Sequence, residues 1–107
     1  MIQENISQQE EIVLLAVGSL EPEAYAYGLQ LEIKTQVKLS WSIGTIHTIL
    51  YRLEKKGLLD SEMGGASQKR GGRSKRLYKL SSKGLRMLEQ IQFTRQSMWA
   101  NLSTNRH

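Results

Sequence analysis

The chain contains no cysteine. Disulfides and thiolate zinc sites are therefore excluded, and the composition fits a reducing compartment, so the expected location is cytoplasmic. Histidine is almost as scarce, with two in the chain, one of them the final residue. There is no acid pair, no His-Glu-x-x-His run and no phosphate-cradling glycine loop ahead of a helix. The sequence thus offers no catalytic constellation, no metal site and no cofactor fingerprint, and it reads as a non-enzyme. No apolar run reaches the ~18 residues that a membrane span requires. The opening Met1-Ile2-Gln3-Glu4-Asn5 lacks the basic and apolar regions of a signal peptide, so none is expected.

Acid is missing from one half of the chain. Residues 1–62 carry five Lys/Arg against nine Asp/Glu, whereas residues 63–107 carry ten against one. Lys69, Arg70, Arg73, Lys75, Arg76, Lys79, Lys83 and Arg86 follow one another with no acid between them. A solvated face normally mixes signs. An acid-free run describes an anion-binding surface, with the phosphate backbone of a nucleic acid as first partner and an anionic membrane surface as second.

What is present is helical punctuation. Residues 1–8 are polar and are expected to fray. Gln8 to Val17 reads as a first helix, apolar nearly all round, which Gly18 to Pro22 should stop. Pro22 should open a second helix reaching Val37, with Tyr25, Leu29, Ile33 and Val37 at steps of four and Tyr27 and Leu31 alongside. Gly28 inside it is expected to mark a close helix–helix approach, since glycine costs ~1 kcal/mol in a helix interior. Ser42 is an N-cap for a third helix, Ile43 to Lys56, whose core stripe is Ile46, Ile49, Leu50 and Leu53. Gly57 closes that helix. Two short strands, Leu58–Met63 and Arg76–Leu80, flank a glycine-rich basic tip and make a hairpin. A last helix should run from Ser81 or Ser82 to about Leu102, ~30 Å long. The expected fold is mainly α with a small β-hairpin wing: a winged helix-turn-helix over residues 1–81, and a long C-terminal dimerisation helix over residues 82–107 in the same compact unit.

Three stretches carry a family resemblance. They are Tyr25-Ala26-Tyr27-Gly28-Leu29, then Ser42-Ile43-Gly44-Thr45-Ile46-His47 running on through Arg52-Leu53-Glu54 to Gly57, then Gly71-Gly72-Arg73-Ser74-Lys75-Arg76-Leu77-Tyr78 running on to Gly84. In this order and spacing the chain resembles the PadR family of bacterial transcriptional regulators, in its short branch with a single C-terminal helix. Ile43 stands where the family has proline, His47 where it has tyrosine, and Leu77 where it has an aromatic.

In the winged-helix reading, the front of the third helix enters the major groove, offering Ser42, Thr45, His47, Thr48, Tyr51 and Arg52. These are mostly short hydroxyls and rings, with no bidentate Arg or Asn at the helix front, so readout through DNA shape should be large. Lys69, Arg70, Arg73, Lys75 and Arg76 of the wing would lie along phosphates. Leu85, Leu88, Ile91, Met98, Trp99 and Leu102 form an apolar stripe wider than the first helix can cover, which implies a homodimer. The resemblance also implies dimers of this shape, a repressor on a palindromic operator, and a pocket at Trp99 and Met98 for a small aromatic effector. The alternative reading is a winged helix used as a protein-interaction module.

Overall fold

The computed structural model describes residues 5–64 and 75–106. Helix α1 (Gln8–Leu20) starts at Ser7, whose hydroxyl accepts from the Glu10 N–H while the Glu10 carboxylate accepts from the Ser7 N–H. This reciprocal box satisfies two of the donors that a helix start leaves unpaired. Gln8 starts the helix as expected, whereas Ser7, expected to fray, is its N-cap. The helix also runs past Gly18 to Leu20, because Val17 and Leu14 anchor its last turns in the core.

The segment after α1 departs from expectation. Pro22 does not open a helix; the Glu21–Pro22 bond is cis, and Ala24 instead forms a one-residue bridge with Tyr78. Helix α2 (Ala26–Val37) begins four residues later, with Tyr25 at its N-cap position. Its buried face is Ala26, Leu29 and Ile33, while Tyr27 and Leu31 point to solvent. Gly28 does not meet another helix either. A methyl group there would lie 3.2 Å from the ring of Tyr25, so the glycine makes room for an aromatic one turn away. The helix ends at Lys38, whose φ of 66° is left-handed.

Helix α3 (Ile43–Lys55) follows the sequence pattern closely: Ile46, Ile49, Leu50 and Leu53 are buried. Its end is a Schellman turn. The Leu58 N–H returns to the Leu53 carbonyl at 2.9 Å and the Gly57 N–H to that of Glu54 at 3.0 Å, with Gly57 at φ +78°. The turn delivers the chain into strand β1 (Leu59–Met63), which pairs antiparallel with β2 (Arg76–Leu80), Ser61 opposite Tyr78. The Tyr78 N–H donates 2.8 Å to the Ala24 carbonyl, so β2 is bonded on both edges. The glycine-rich tip of the hairpin, with Lys69, Arg70 and Arg73, lies outside the described residues.

Helix α4 (Ser82–Asn105) has 24 residues. Ser81 caps it by accepting from the Gly84 N–H and also donates to the Gly57 carbonyl at 2.6 Å. Gly84 is buried against the main chain of Leu58, which a methyl group would overlap. The root of α4 is thus pressed onto the end of α3. Its middle touches α1, where Arg95 pairs with Glu11 at 2.8 Å, and its far end projects. The radius of gyration, 16.2 Å, exceeds the ~13 Å of a compact 100-residue domain for this reason. The core is made by α1, α2, α3 and the hairpin root, from Val13 and Leu14 to Leu58 and Tyr78. No helix among the described residues is long and apolar enough to cross a membrane.

Candidate nucleic-acid interface

With its apolar stripe turned inward, α3 must present its remaining side chains to solvent. His47, Thr48, Tyr51 and Arg52 are exposed, as is Ser42, and Thr45 is half-buried. They form two rows along the helix, Thr45-Thr48-Arg52 and His47-Tyr51, because residues three and four apart share a face. Ser42 is already engaged: its hydroxyl accepts from the Thr45 N–H at 3.1 Å and donates to the Thr45 hydroxyl at 3.0 Å. Ser42 therefore fixes the start of the helix and orients Thr45. Tyr51 carries Lys55 above its ring, with the ammonium 5.4 Å from the centroid.

The His47 row borders a cleft. About 320 Å³ in volume, it lies between α3, the start of α2 and the root of the wing, and is lined by Tyr25, Ala26, Tyr27, His47, Lys75, Arg76 and Tyr78. Residues expected on two separate elements, His47 from the helix and Lys75 and Arg76 from the wing, thus converge here. The Tyr78 ring is buried, and this burial, with the Glu54 charge adding to it, raises its hydroxyl pKa above the ordinary value, so it stays a neutral wall. Lys75 lies over the Tyr25 ring at 4.1 Å. Arg76 reaches across the hairpin and donates to the Ser61 hydroxyl at 2.9 Å, which itself donates to Glu54 of α3 at 2.7 Å. This chain of bonds braces the wing against α3 and uses one of the five guanidinium donors.

Tyr25 and Tyr27 were expected to be core packing residues. Both instead line the cleft, and Tyr27 is 66% exposed. No periodicity in the sequence marks them, because a one-residue bridge at Ala24 displaces the start of α2.

On α4, Leu88 and Ile91 are half-buried, whereas Leu85, Met98, Trp99 and Leu102 are exposed, Trp99 to 66%. Met98 and Ile91 line a groove of about 430 Å³ between α4 and the start of α1, floored by Ile6 and Met87 and closed by the Glu11–Arg95 pair. Trp99 lies outside that lining, so Met98 and Trp99 do not share this groove.

A family model described as the transcriptional regulator PadR-like family matches residues 13–90. Among solved structures, the chain is similar to a PadR-like transcription factor from Bacteroides fragilis, at 24% identity and TM-score 0.73, covering 90% of this chain and 87% of that one. It is similar to a PadR-like transcriptional regulator from Bacillus cereus at 25% identity and TM-score 0.67, covering 91% and 85%. It is also similar to Bacillus subtilis PadR, solved in complex with operator DNA, at 17% identity and TM-score 0.66, covering 79% of this chain and 46% of that one. No curated protein matches the sequence.

Proposed function

The chain belongs to the PadR-like family of transcriptional regulators, and from that premise we propose that it binds a palindromic operator sequence-specifically, as a homodimeric repressor. The observation that carries this reading is the cleft in which His47 of α3 meets Lys75 and Arg76 of the wing root. A duplex whose major groove accepts the front of α3 would bring a backbone strand past that cleft. Thr45, His47, Thr48, Tyr51 and Arg52 would then face base edges or phosphates, with Ser42 holding the helix start. Lys75 and Arg76, with Lys69, Arg70 and Arg73, would meet phosphates. That a neighbour of the same fold was solved in complex with operator DNA supports the DNA reading.

The second copy is called for by α4. Leu85, Met98, Trp99 and Leu102 leave an apolar stripe uncovered, continuous with the half-buried Leu88 and Ile91. A symmetric partner would bury it and set two recognition helices ~34 Å apart, one turn of the duplex. In that dimer Trp99 and Met98 would be brought near the partner's stripe, and a small aromatic effector entering there would shift the two α3 helices and release the DNA.

The test is a titration of the protein against a fluorescent duplex from its own upstream region and against a scrambled duplex, at ~50 and ~200 mM salt. Preference for its own region, with affinity falling ~10³-fold or more as salt rises, supports a specific regulator making several phosphate contacts. Equal binding to both duplexes contradicts sequence specificity. Absence of binding at low salt contradicts the DNA reading and favours the protein-interaction module.

A further inference from the structure

Lys75 is held from two sides. Its carbonyl accepts from the Gly64 N–H across the hairpin, and its ammonium lies 4.1 Å from the centre of the Tyr25 ring. Tyr25 stands half-buried at the N-cap position of α2, and its ring lies over the place where a side chain on Gly28 would be, 3.2 Å from a methyl group at that position. The ring therefore forms a shelf at the edge of the cleft that His47 borders. An aromatic face attracts an ammonium through its quadrupole and leaves the charge unneutralised. A carboxylate in the same place would hold the lysine equally well and cancel it. The same arrangement recurs on α3, where Lys55 lies over Tyr51. Both lysines are thus ordered without being paired to an acid in that contact, which is what a phosphate-binding surface requires.

We propose that Tyr25 is a positioning residue of the interface, whose ring holds the Lys75 ammonium at the mouth of the cleft to meet a backbone phosphate. The inference rests on the DNA reading above. It assigns to α2 a part in DNA affinity exerted wholly through the wing.

The contact is measured first without DNA. In the wild type and in Tyr25→Phe, the Lys75 ε-methylene protons should resonate upfield of those of free lysine, shifted by the ring current; in Tyr25→Leu they should return to the free position. Affinity is then measured by a double-mutant cycle with the upstream duplex. Tyr25→Phe should bind within about twofold of wild type, and Tyr25→Leu roughly two- to fivefold more weakly, the factor expected of one exposed cation–π contact. Lys75→Gln should lower the slope of log affinity against log salt by about one unit. In the Lys75→Gln background, Tyr25→Leu should have almost no further effect, because the two act as one unit. Additive losses, or a Tyr25→Phe variant as weak as Tyr25→Leu, would overturn the inference while leaving the DNA reading intact. An unshifted Lys75 resonance in the wild type would overturn it before any DNA is added. If Tyr25→Leu does not fold, the wild-type resonance, Tyr25→Phe and Lys75→Gln still decide: a shifted resonance, full Phe affinity and a reduced slope support it, and any one missing overturns it. A wild type that binds no duplex overturns the DNA reading itself, and this inference with it.

Discussion

Both carboxylate oxygens of Glu10 lie 3.0 Å from the Lys56 ammonium, so the first turn of α1 is fastened to the residue that caps the end of α3. Glu10 is 4% exposed, and a charge so buried is tolerated only when paired and hydrogen-bonded. Replacing it by Gln removes the carboxylate from Lys56 and weakens the box with Ser7. The expected loss is about 1.5–2 kcal/mol, the lower part of the range for a charge-assisted bond, because the Lys56 ammonium can turn to water. Urea unfolding of Glu10→Gln measures this, and a midpoint equal to wild type would contradict it.

The same group sets a pH dependence. Burial pushes the Glu10 carboxyl upward, but the Ser7 N–H and then the Lys56 and Arg52 charges outweigh it and bring its pKa below the ordinary carboxylate value. The unfolded state therefore binds the proton at a higher pH than the folded state does. The stabilisation is fully present above the unfolded value and is lost as pH falls through the lowered folded one. Wild type should lose stability relative to Glu10→Gln on acidification below about pH 5, and thermal unfolding of the pair from pH 7 to pH 3 should show the gap narrowing. A gap independent of pH would refute the assignment.

Gly84 admits no side chain, because a methyl group would overlap the Leu58 carbonyl, a main-chain atom within the Schellman turn. Gly84→Ala should cost about 3 kcal/mol, the upper end for overpacking, since backbone on both sides must shift. Denaturant titration reads this directly, and a change below ~1 kcal/mol would mean that the α3–α4 corner yields easily.

At the end of α2 the opposite gain is available. Lys38 adopts a left-handed backbone conformation at φ 66°, which costs an L residue roughly 1–2 kcal/mol and glycine nothing. Lys38→Gly should stabilise the chain by about 0.5–1 kcal/mol, part of the relief being offset by greater freedom of the unfolded chain. A lower melting temperature would count against it.

The exposed stripe of α4 predicts a substitution that changes assembly without unfolding the monomer. Trp99→Glu places a charge where 66% of the side chain is exposed in the single chain. Light scattering should report a dimer for wild type and a monomer for the variant, with unchanged helical circular dichroism and weaker operator binding. A wild type that is itself monomeric at tens of micromolar would remove the symmetric-dimer proposal.

Much of this was legible before any coordinates. The stripe of α3, its Ser42 cap, the Gly57 stop and the bounds of β2 follow from local periodicity and capping chemistry, and the structure reproduces them. The box of Ser7 and Glu10 was missed, since fraying was expected there, although a serine followed three residues later by glutamate ahead of an apolar run is the pattern of such a box. The segment at Pro22 was not legible. A one-residue bridge such as Ala24 to Tyr78 leaves no periodicity, and it displaces the start of α2. Gly28 was singled out correctly for close packing but given the wrong neighbour, since the Tyr25 ring reaches it only from a non-helical residue. In the candidate interface, the outward rows of α3 were readable from the stripe alone, whereas the cleft was not. It depends on how far the wing root folds back onto α2, and the partner of Lys75 is fifty positions earlier in the chain.

The corner at Gly84 also fixes a direction. Helix α4 has 24 residues, so it is ~36 Å long, and a difference of ~10° in the angle at its root would place its far end ~6 Å to one side. The Gly57–Leu58 turn that terminates α3 sets that angle through the close approach of Gly84 to the Leu58 carbonyl, and the Glu11–Arg95 pair holds it from α1. The aim of the projecting end is thus decided at the turn where α3 stops.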